Sequence, residues 1–420
     1  MAESPSFLIV GASLAGASAA AALREEGFEG QIMLVGQERE VPYERPPLSK
    51  EYLRGESSQE AAQVHPAGFY SEQGIELRTG TEVVSLNPRD RFVTLDDRAE
   101  IHYDKLLLST GAEPRRASMP GADLAGTHYL RTTSDSDSLR ARLTAGTRLV
   151  VVGGGWIGCE VAASAVSLGV SVTLIERFDA PLGQTLGARL GEFYGKLHAE
   201  RGVRVETNAS VVGVTGADRV ERVELTDGQA IEADLVLFGI GALPRVAVAA
   251  QAGLEVENGI LADQRLETSV PGIFACGDVA NAYHTRYQRR LRTEHWANAR
   301  SQGAIAARAM LGKPAANDSV PYFFSDQYDV GMEYRGLGHP DDEVVFRGHP
   351  DSLEFLAFWV RGDRVEAAMN VNLWDAGETI ERLIASKTPM NRRHLSDPDI
   401  PLDSLLDGDE SAAVPKEQTP

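Results

Sequence analysis

The stretch RLVVVGGGWIGCEVAASAVSLGVSVTLIE, residues 148–176, decides the fold of this chain. Its aliphatic run predicts a buried strand, its glycines a turn, its alanine-rich segment a helix, and SVTLIE a second strand. Gly153, Gly155 and Gly158 fit the full G-x-G-x-x-G pattern. The charged pyrophosphate of a dinucleotide needs backbone N–H groups at a helix N-terminus, and no side chain where the backbone approaches it. The stretch therefore predicts a dinucleotide-binding βαβ unit.

The same pattern occurs a second time, at the start of the chain. A short strand at 7–10 is followed by GASLAG, an alanine-rich helix and the strand QIMLVG. Gly11 would supply the tight turn and Gly16 the close approach of helix to strand; Ser13 replaces the middle glycine, and its hydroxyl could donate to phosphate. One such motif is a weak signal, but two copies in the same context are not a coincidence. The chain is therefore predicted to be an α/β protein with two Rossmann-like modules.

An acidic residue at the end of the next strand would hold the ribose hydroxyls of each nucleotide. Glu176 lies 18 residues after Gly158, and a carboxylate there accepts from the 2′-hydroxyl of NAD and repels the 2′-phosphate of NADP. Arg177 beside it is the residue that would bind that phosphate, so NADH is favoured over NADPH without being fixed. In the first module Gln37 or Glu38 could reach the adenosine ribose, although Glu38 could equally be a solvated loop residue.

Composition excludes several classes of partner and of chemistry. The formal net charge of -20 disfavours nucleic acid and anionic membranes, and no segment reaches the ~20 apolar residues of a membrane span. The only cysteines are Cys159 and Cys276, and Cys276 is expected to act as a buried hydrophobe. Residues 1–50 contain no cysteine, so the first helix lacks the redox cysteines of a disulfide reductase, and no metal-spaced histidine cluster occurs. A cytoplasmic protein without a metal site is predicted.

The pattern of apolar residues changes after residue 320, where they alternate or cluster in short runs. LEFLAFWV and RVEAAMNVN flank Gly362-Asp363 and predict a β-hairpin, and residues 378–386 predict a helix. A third, α+β domain is therefore expected. The predicted boundaries are 1–112 with 246–320 for the first dinucleotide-binding domain, 113–245 for the second, 321–406 for the C-terminal domain, and 407–420 for a disordered tail.

Five further motifs indicate to which family the sequence is similar. They stand in order as VPYERPPLSK (41–50), STGA (109–112), HYLRT (128–132), TSVPGIFACGDVA (268–280) and EHWANA (294–299). With the two glycine motifs, this combination closely resembles the bacterial FAD-dependent ferredoxin reductases that serve oxygenase systems, of the putidaredoxin reductase and biphenyl dioxygenase reductase type. The resemblance spans residues 7–406. It implies a glutathione reductase-like fold in which 1–112 with 246–320 is the FAD-binding domain and 113–245 the NAD-binding domain. It also implies the passage of electrons from NADH through FAD to an iron–sulfur ferredoxin.

The resemblance also implies roles for individual residues. Lys50 would lie beside the flavin ring and stabilise the anionic reduced flavin, reinforced by Arg45. Asp278, expected at a helix N-terminus, would hold a ribitol hydroxyl of FAD. Glu160 would approach the junction of flavin and nicotinamide and pair with Lys50, and these two are the catalytic candidates. Trp296 would pack near the flavin, unless it is a core residue. The implied FAD residues are Gly11, Ser13, Leu14, Ala15, Gly16, Gln37, Glu38, Arg45, Lys50, Val83, Thr110, Gly111, Arg131, Gly277, Asp278, Glu294, His295 and Trp296. The implied NAD residues are Gly153, Gly155, Trp156, Ile157, Gly158, Glu160, Glu176, Arg177 and Gly241.

An acidic reductase needs a local basic patch to dock an acidic ferredoxin. Arg286, Arg289, Arg290 and Arg292 precede Trp296 and are the candidate docking residues, although an ordinary charged loop would have the same composition. Where the family often has the tryptophan-rich PWFWSDQ, this sequence has PYFFSDQ, with Tyr322 and Phe324 in place of the tryptophans. This departure leaves the stacking role intact.

Three alternatives remain open. A rubredoxin reductase or an NADH oxidase would share the modules, and an apoptosis-inducing-factor-like protein would use them for redox sensing rather than turnover. Oxygen consumption without a carrier protein would indicate the oxidase, and an oligomeric state that changes with NADH would indicate the sensor.

Overall fold

A computed structural model describes residues 4–407, so all but the first residue of the predicted tail 407–420 lies outside the described residues. The chain divides into two compact units. Within the described residues, the first unit comprises 4–47, 56–115 and 241–319, and the second comprises 48–55, 116–240 and 320–407.

The first unit is built on a parallel five-stranded sheet in the order 273–275, 105–108, 6–10, 31–35, 75–78. After a polar first residue, each of its three central strands is apolar, as expected where helices or other layers cover both faces of a sheet. The unit has three smaller sheets. One contains strands 83–87, 92–95 and 100–102, and another pairs 112–114 with 242–244. In the third, strand 280–284 lies between 260–262 and 289–291. The helices are Leu14–Glu25, Ala67–Glu72, Ala247–Gln251 and Trp296–Met310.

Small residues bring two of these helices into close contact. A Cβ atom at Gly303 would lie 2.5 Å from the carbonyl oxygen of Ala15, so helix 296–310 can reach helix 14–25 only with glycine there. Most of the buried alanines of both helices belong to one apolar core with Ile9, Leu34 and Leu107 of the sheet. This packing places the start of helix 14–25 at the carboxyl end of the parallel strands.

The second unit repeats this arrangement and adds an antiparallel sheet. Its parallel sheet has the order 204–206, 171–175, 148–152, 235–238, 127–128. A three-stranded sheet is formed by 211–215, 222–225 and 230–232, and a five-stranded antiparallel sheet by 322–327, 330–336, 364–371, 354–361 and 343–349. The helices are Glu51–Arg54, Thr133–Arg140, Trp156–Ser167, Gly183–Leu186, Ala188–Glu200, Gly377–Ser386 and Arg392–Ser396.

The antiparallel sheet confirms the predictions made for the last part of the chain. Strands 354–361 and 364–371 pair as the expected hairpin. The expected helix spans Gly377–Ser386, and its Ile380, Leu383 and Ile384 are buried in the same core as Phe358. The overall fold class is therefore confirmed, whereas the boundaries proposed between three domains stay predictions.

One local prediction is wrong. Asp278 does not lie at the N-terminus of a helix: Gly277–Val279 form a single 3-10 turn, and the chain continues as the strand Ala280–His284. The cause is sheet pairing, because that strand is hydrogen-bonded to 260–262 on one side and 289–291 on the other. The next α-helix begins at Trp296.

Candidate functional site

The first cradle, residues 11–16, joins strand 6–10 to helix 14–25 in the first unit. Gly11 has φ +116°, and a Cβ atom there would lie 2.1 Å from the backbone oxygen of Ser109. A Cβ atom at Gly16 would lie 2.1 Å from the Gly11 oxygen. Glycine is therefore the one residue that fits at either position. Ser109, absent from the predicted FAD residues, donates from its hydroxyl to the backbone oxygen of Gly11 at 2.9 Å.

The residues of the first cradle fit a bound pyrophosphate. Ser13 is the N-cap of helix 14–25, and its side chain makes no capping hydrogen bond, so the hydroxyl is not committed to the helix. The N–H groups of the first helical turn have no acceptor within the helix and carry the positive end of its dipole. Leu14 and Ala15, both buried, hold this turn against the core. An FAD pyrophosphate would find backbone donors and no Cβ atom at the two closest glycines.

The ribose side of the first module differs from that of the second. The Gly11 N–H donates to Val35, the last residue of strand 31–35, and the Gly153 N–H donates in the same way to Ile175, the last residue of strand 171–175. The residue after Ile175 is Glu176, so its counterpart in the first module is Gly36, one residue before Gln37. A Cβ atom at Gly36 would lie 2.5 Å from that of Ala12, which excludes a carboxylate there.

The polar candidates therefore follow one or two residues later. Gln37 is exposed and bonds to Arg245 at 3.1 Å, whereas Glu38 accepts from Arg45 at 2.6 Å and from the Tyr43 hydroxyl.

Other predicted FAD residues are distributed over both units. Val83 is buried at the start of a strand, Thr110 donates to Arg245 O at 2.8 Å, and Gly111 has φ +69°. Burial lowers the pKa of His295 to about 4, and Trp296 packs against the apolar core with Arg300 over its ring at 5.5 Å. Gly277 donates its N–H to buried Gln302 at 2.9 Å, and Glu294 pairs with Arg292.

Lys50 and Arg131 belong to the second unit, and Gly241, predicted for NAD, belongs to the first.

The second cradle, residues 153–158, has the same construction. A Cβ atom at Gly153 (φ +107°) would lie 2.4 Å from Gly239 O, and one at Gly158 would lie 2.0 Å from Gly153 O. Gly155 is the N-cap of helix 156–167, and a Cβ atom added there would meet nothing within 4 Å, which leaves room for a phosphate. Ile157 in the first turn is 44% exposed, an unusual exposure for isoleucine.

Glu176 is fixed at the end of strand 171–175. It is buried, and its carboxylate accepts from the N–H groups of Gly154 at 2.7 Å and Phe178 at 3.0 Å. These bonds tie the predicted ribose acid to the second cradle itself. Arg177 is exposed and lies over the Phe178 ring at 4.5 Å. Of the two residues predicted to select the nucleotide, Glu176 is therefore the one held by backbone hydrogen bonds.

Lys50 and Glu160 form a buried ion pair, as the resemblance implied. Lys50 Nζ lies 2.8 Å from Glu160 Oε2, with side-chain exposures of 5% and 7%. Two hydroxyls also donate to the carboxylate: that of Ser49, and that of Ser325 at 2.7 Å. Lys50 Nζ further lies 5.6 Å from the ring centroid of Phe324 in the PYFFSDQ segment. A buried charge in this setting is compensated from several sides.

The backbone that carries Lys50 is held on both sides. Ser136 donates to Leu48 O at 2.9 Å, and Ser164 donates to Ser49 O at 2.7 Å. Both serines are buried, and they lie on helices 133–140 and 156–167. Nothing in the sequence pattern singled them out, because lone serines in helices are common. Their effect is to fix the position of the ammonium relative to Glu160.

The four candidate docking arginines differ in their surroundings. Arg289 and Arg290 are exposed on the strand 289–291, although Arg290 also donates to the backbone oxygen of Ala262. Arg286 donates to Asp318 O at 3.1 Å, and Arg292 is paired with Glu294. Positive charge is therefore most accessible at Arg289 and Arg290.

Two further properties concern residues 4–407. Within them, no group of three or more His, Cys, Asp or Glu side chains could hold a metal ion, and no helix is long and apolar enough to cross a membrane. Both cysteines are fully buried, and burial raises the pKa of each thiol.

Two family models match the chain. The model of the pyridine nucleotide-disulphide oxidoreductases matches residues 5–303, and that of the reductase C-terminal domain matches residues 322–406. The probable ferredoxin reductase CtmF of Castellaniella defragrans is 38% identical, over 95% of this chain and 98% of its own length. The benzene 1,2-dioxygenase system ferredoxin–NAD(+) reductase subunit of Pseudomonas putida is 38% identical, over 93% and 94%. The crystal structure of the covalent putidaredoxin reductase–putidaredoxin complex matches with a TM-score of 0.93 and 36% identity, covering 96% of this chain and 99% of that one.

Proposed function

This chain belongs to the pyridine nucleotide-disulphide oxidoreductase family, and we propose that it is a ferredoxin reductase that passes electrons from NADH through bound FAD to an iron–sulfur ferredoxin serving an oxygenase. The observation that carries this proposal is the pair of cradles, each with glycines at which a Cβ atom would strike backbone. The absence of cysteine from residues 1–50 separates the chain from the disulfide reductases that share its fold.

The chain's residues have distinct roles in this proposal. Bound FAD would supply the chemistry, accepting two electrons from nicotinamide and giving them singly to the iron–sulfur partner. Gly11, Ser13 and Gly16 would hold its pyrophosphate. The Lys50 ammonium would stabilise negative charge on the reduced cofactor, and Glu160 would orient that ammonium through the 2.8 Å ion pair. No side-chain nucleophile is required.

NADH is the proposed donor in preference to NADPH. The carboxylate of Glu176 is held by two backbone N–H groups, and a 2′-phosphate close to it would meet a fixed negative charge. Arg177 instead stacks on Phe178 and is solvent-exposed. Initial rates with the two nucleotides, measured side by side with ferricyanide as acceptor, decide between them. A reducing compartment, the cytoplasm, suits this donor.

The proposed function is tested by NADH-driven reduction of cytochrome c, assayed with a panel of ferredoxins. We expect cytochrome c reduction to depend on NADH and on one class of ferredoxin. Reduction that requires rubredoxin would show that rubredoxin is the acceptor, and steady oxygen consumption with no carrier would show that oxygen is. A purified protein without bound flavin that stays colourless after refolding with FAD would refute the proposal altogether.

Ferredoxin docking is proposed at Arg289 and Arg290, the two exposed members of the basic segment. The double variant Arg289→Glu/Arg290→Glu is expected to lower kcat/KM for ferredoxin by about tenfold or more at low salt, because opposite charges steer association. NADH-to-ferricyanide activity should not change. Stopped-flow reduction of the ferredoxin at several ionic strengths measures the effect.

The matched control is Arg89→Glu/Arg222→Glu, which makes the same charge change at two other exposed arginines. If the control slows ferredoxin reduction as much, the effect is one of net charge and the docking site is wrong. Equal loss of ferricyanide activity in the first variant would also contradict it.

A further inference from the structure

A chain of side chains in the second unit leads from helix 188–200 to the Glu160 carboxylate. His198 Nδ1 lies 2.8 Å from the Tyr328 hydroxyl, and its Nε2 lies 3.0 Å from Gln327 Oε1. Gln327 Nε2 lies 3.3 Å from Ser325 Oγ, and that hydroxyl lies 2.7 Å from Glu160 Oε1. His198, Gln327 and Ser325 are all buried. Polar groups in such surroundings are costly unless each one is paired.

The direction of every hydrogen bond in this series of side chains follows from Glu160, its last member. Glu160, ion-paired with Lys50, is a carboxylate and can only accept, so Ser325 must donate to it. The Ser325 oxygen then accepts from the amide NH2 of Gln327. That orientation turns the amide oxygen of Gln327 towards His198, which must donate to it.

The same reasoning fixes the state of the histidine ring. Its proton lies on Nε2, so Nδ1 is the acceptor of the Tyr328 hydroxyl proton. Burial lowers the pKa of His198 to about 4, which agrees with a neutral ring. All four donors thus point the same way, and aligned hydrogen bonds polarise one another.

We propose that His198, Gln327 and Ser325 are positioning residues that orient the Glu160 carboxylate, and through it the Lys50 ammonium, by a one-way chain of hydrogen bonds that begins at Tyr328. The consequence for catalysis rests on the proposed function, in which Lys50 acts on the flavin. This chain of hydrogen bonds orients the Glu160 carboxylate and does not conduct protons, because the carboxamide of Gln327 does not pass protons as a hydroxyl or an imidazole does.

The direction of the chain is tested by the ring nitrogen shifts of His198. The holoenzyme, labelled with 15N-histidine, is measured by long-range 1H–15N correlation near neutral pH, and the His198 signals are assigned by their loss in His198→Gln. We expect a neutral ring with its proton on Nε2. A proton on Nδ1, or on both nitrogens, would overturn the assignment of direction.

The coupling along the chain is tested by Gln327→Glu, which preserves shape. The new carboxylate can only accept, so it should draw a second proton onto His198 and turn the Ser325 hydroxyl away from Glu160. Gln327→Met, of similar size and without polar atoms, is the matched variant that removes both bonds without adding charge. Unchanged His198 shifts in Gln327→Glu would show that the two residues do not interact.

The positioning role is tested by steady-state kinetics with NADH and ferricyanide. Ser325→Ala and Gln327→Glu each remove a donor from the Glu160 side of the chain and should lower kcat about tenfold, with KM for NADH within about twofold of the wild type. Normal kcat in Ser325→Ala, or in Gln327→Glu once its His198 shifts have moved as expected, would overturn the positioning role. A wild type that reduces no acceptor with NADH would instead refute the proposed function, while the ring nitrogen shifts would still decide the direction of the chain.

Discussion

Gly11→Ala is expected to yield a protein with less than about a tenth of the FAD that the wild type holds. The new Cβ atom would lie 2.1 Å from Ser109 O and 2.5 Å from its carbonyl carbon, and both are backbone atoms of the neighbouring strand end. In addition, alanine at φ +116° is strained by about 1–3 kcal/mol. The strand end or the cradle has to move, and the pyrophosphate site moves with it. The ratio of flavin absorbance to protein absorbance in purified samples measures the loss.

Gly27→Ala is the matched control for this prediction. Gly27 also lies in the first unit and has a positive φ of +84°, but nothing lies within 4 Å of an added Cβ atom. The control therefore carries the backbone strain without the collision, and it should keep its flavin with a modestly lowered melting temperature. If both variants lose flavin alike, strain alone governs the site, and the close approach of Gly11 to Ser109 is not what shapes the cradle.

The two cradles could be predicted from sequence because the information is local. Strand, glycine turn and helix follow one another within each module, and the geometry of Gly11 and Gly153 is the geometry that the pattern requires. The hairpin around Gly362 is predictable for the same reason. Asp278 shows the limit of local patterns, because the strand that follows it pairs in parallel with 260–262, a segment that is not its neighbour in the chain, and only its other partner, 289–291, is local.

The remainder of the site depends on contacts between residues far apart in the chain. The pair of Lys50 and Glu160 was reached through resemblance, since no spacing rule links a lysine in a loop with a glutamate in a later helix. His198 is not predictable from the sequence, because it is a single histidine in an ordinary helix. Ser325 belongs to the PYFFSDQ segment, but only the aromatic residues of that segment carried an expected role. Their partners become visible only when helix 188–200 and strand 322–327 are seen side by side.

The ion pair of Lys50 and Glu160 is expected to be strongly coupled to the stability of the second unit. Lys50→Met would leave the Glu160 carboxylate buried without its counter-ion, and removing one partner of such a pair costs about 3–5 kcal/mol. Lys50→Met/Glu160→Gln leaves neither charge and should recover most of that loss, since buried pairs replaced as a whole are often tolerated. Thermal and urea midpoints of the two single variants and the double variant complete a double-mutant cycle.

Lys196→Met provides the comparison that identifies burial as the cause. Lys196 pairs with Asp351 at the same 2.8 Å distance, but the two side chains are 56% and 65% exposed, so water screens both charges. We expect its midpoints to match the wild type. If Lys50→Met were equally harmless, the Glu160 carboxylate would have to be satisfied by the hydroxyls of Ser49 and Ser325 alone. The ammonium would then be dispensable for folding, and its retention in the buried site would have to be explained by its action on the reduced flavin.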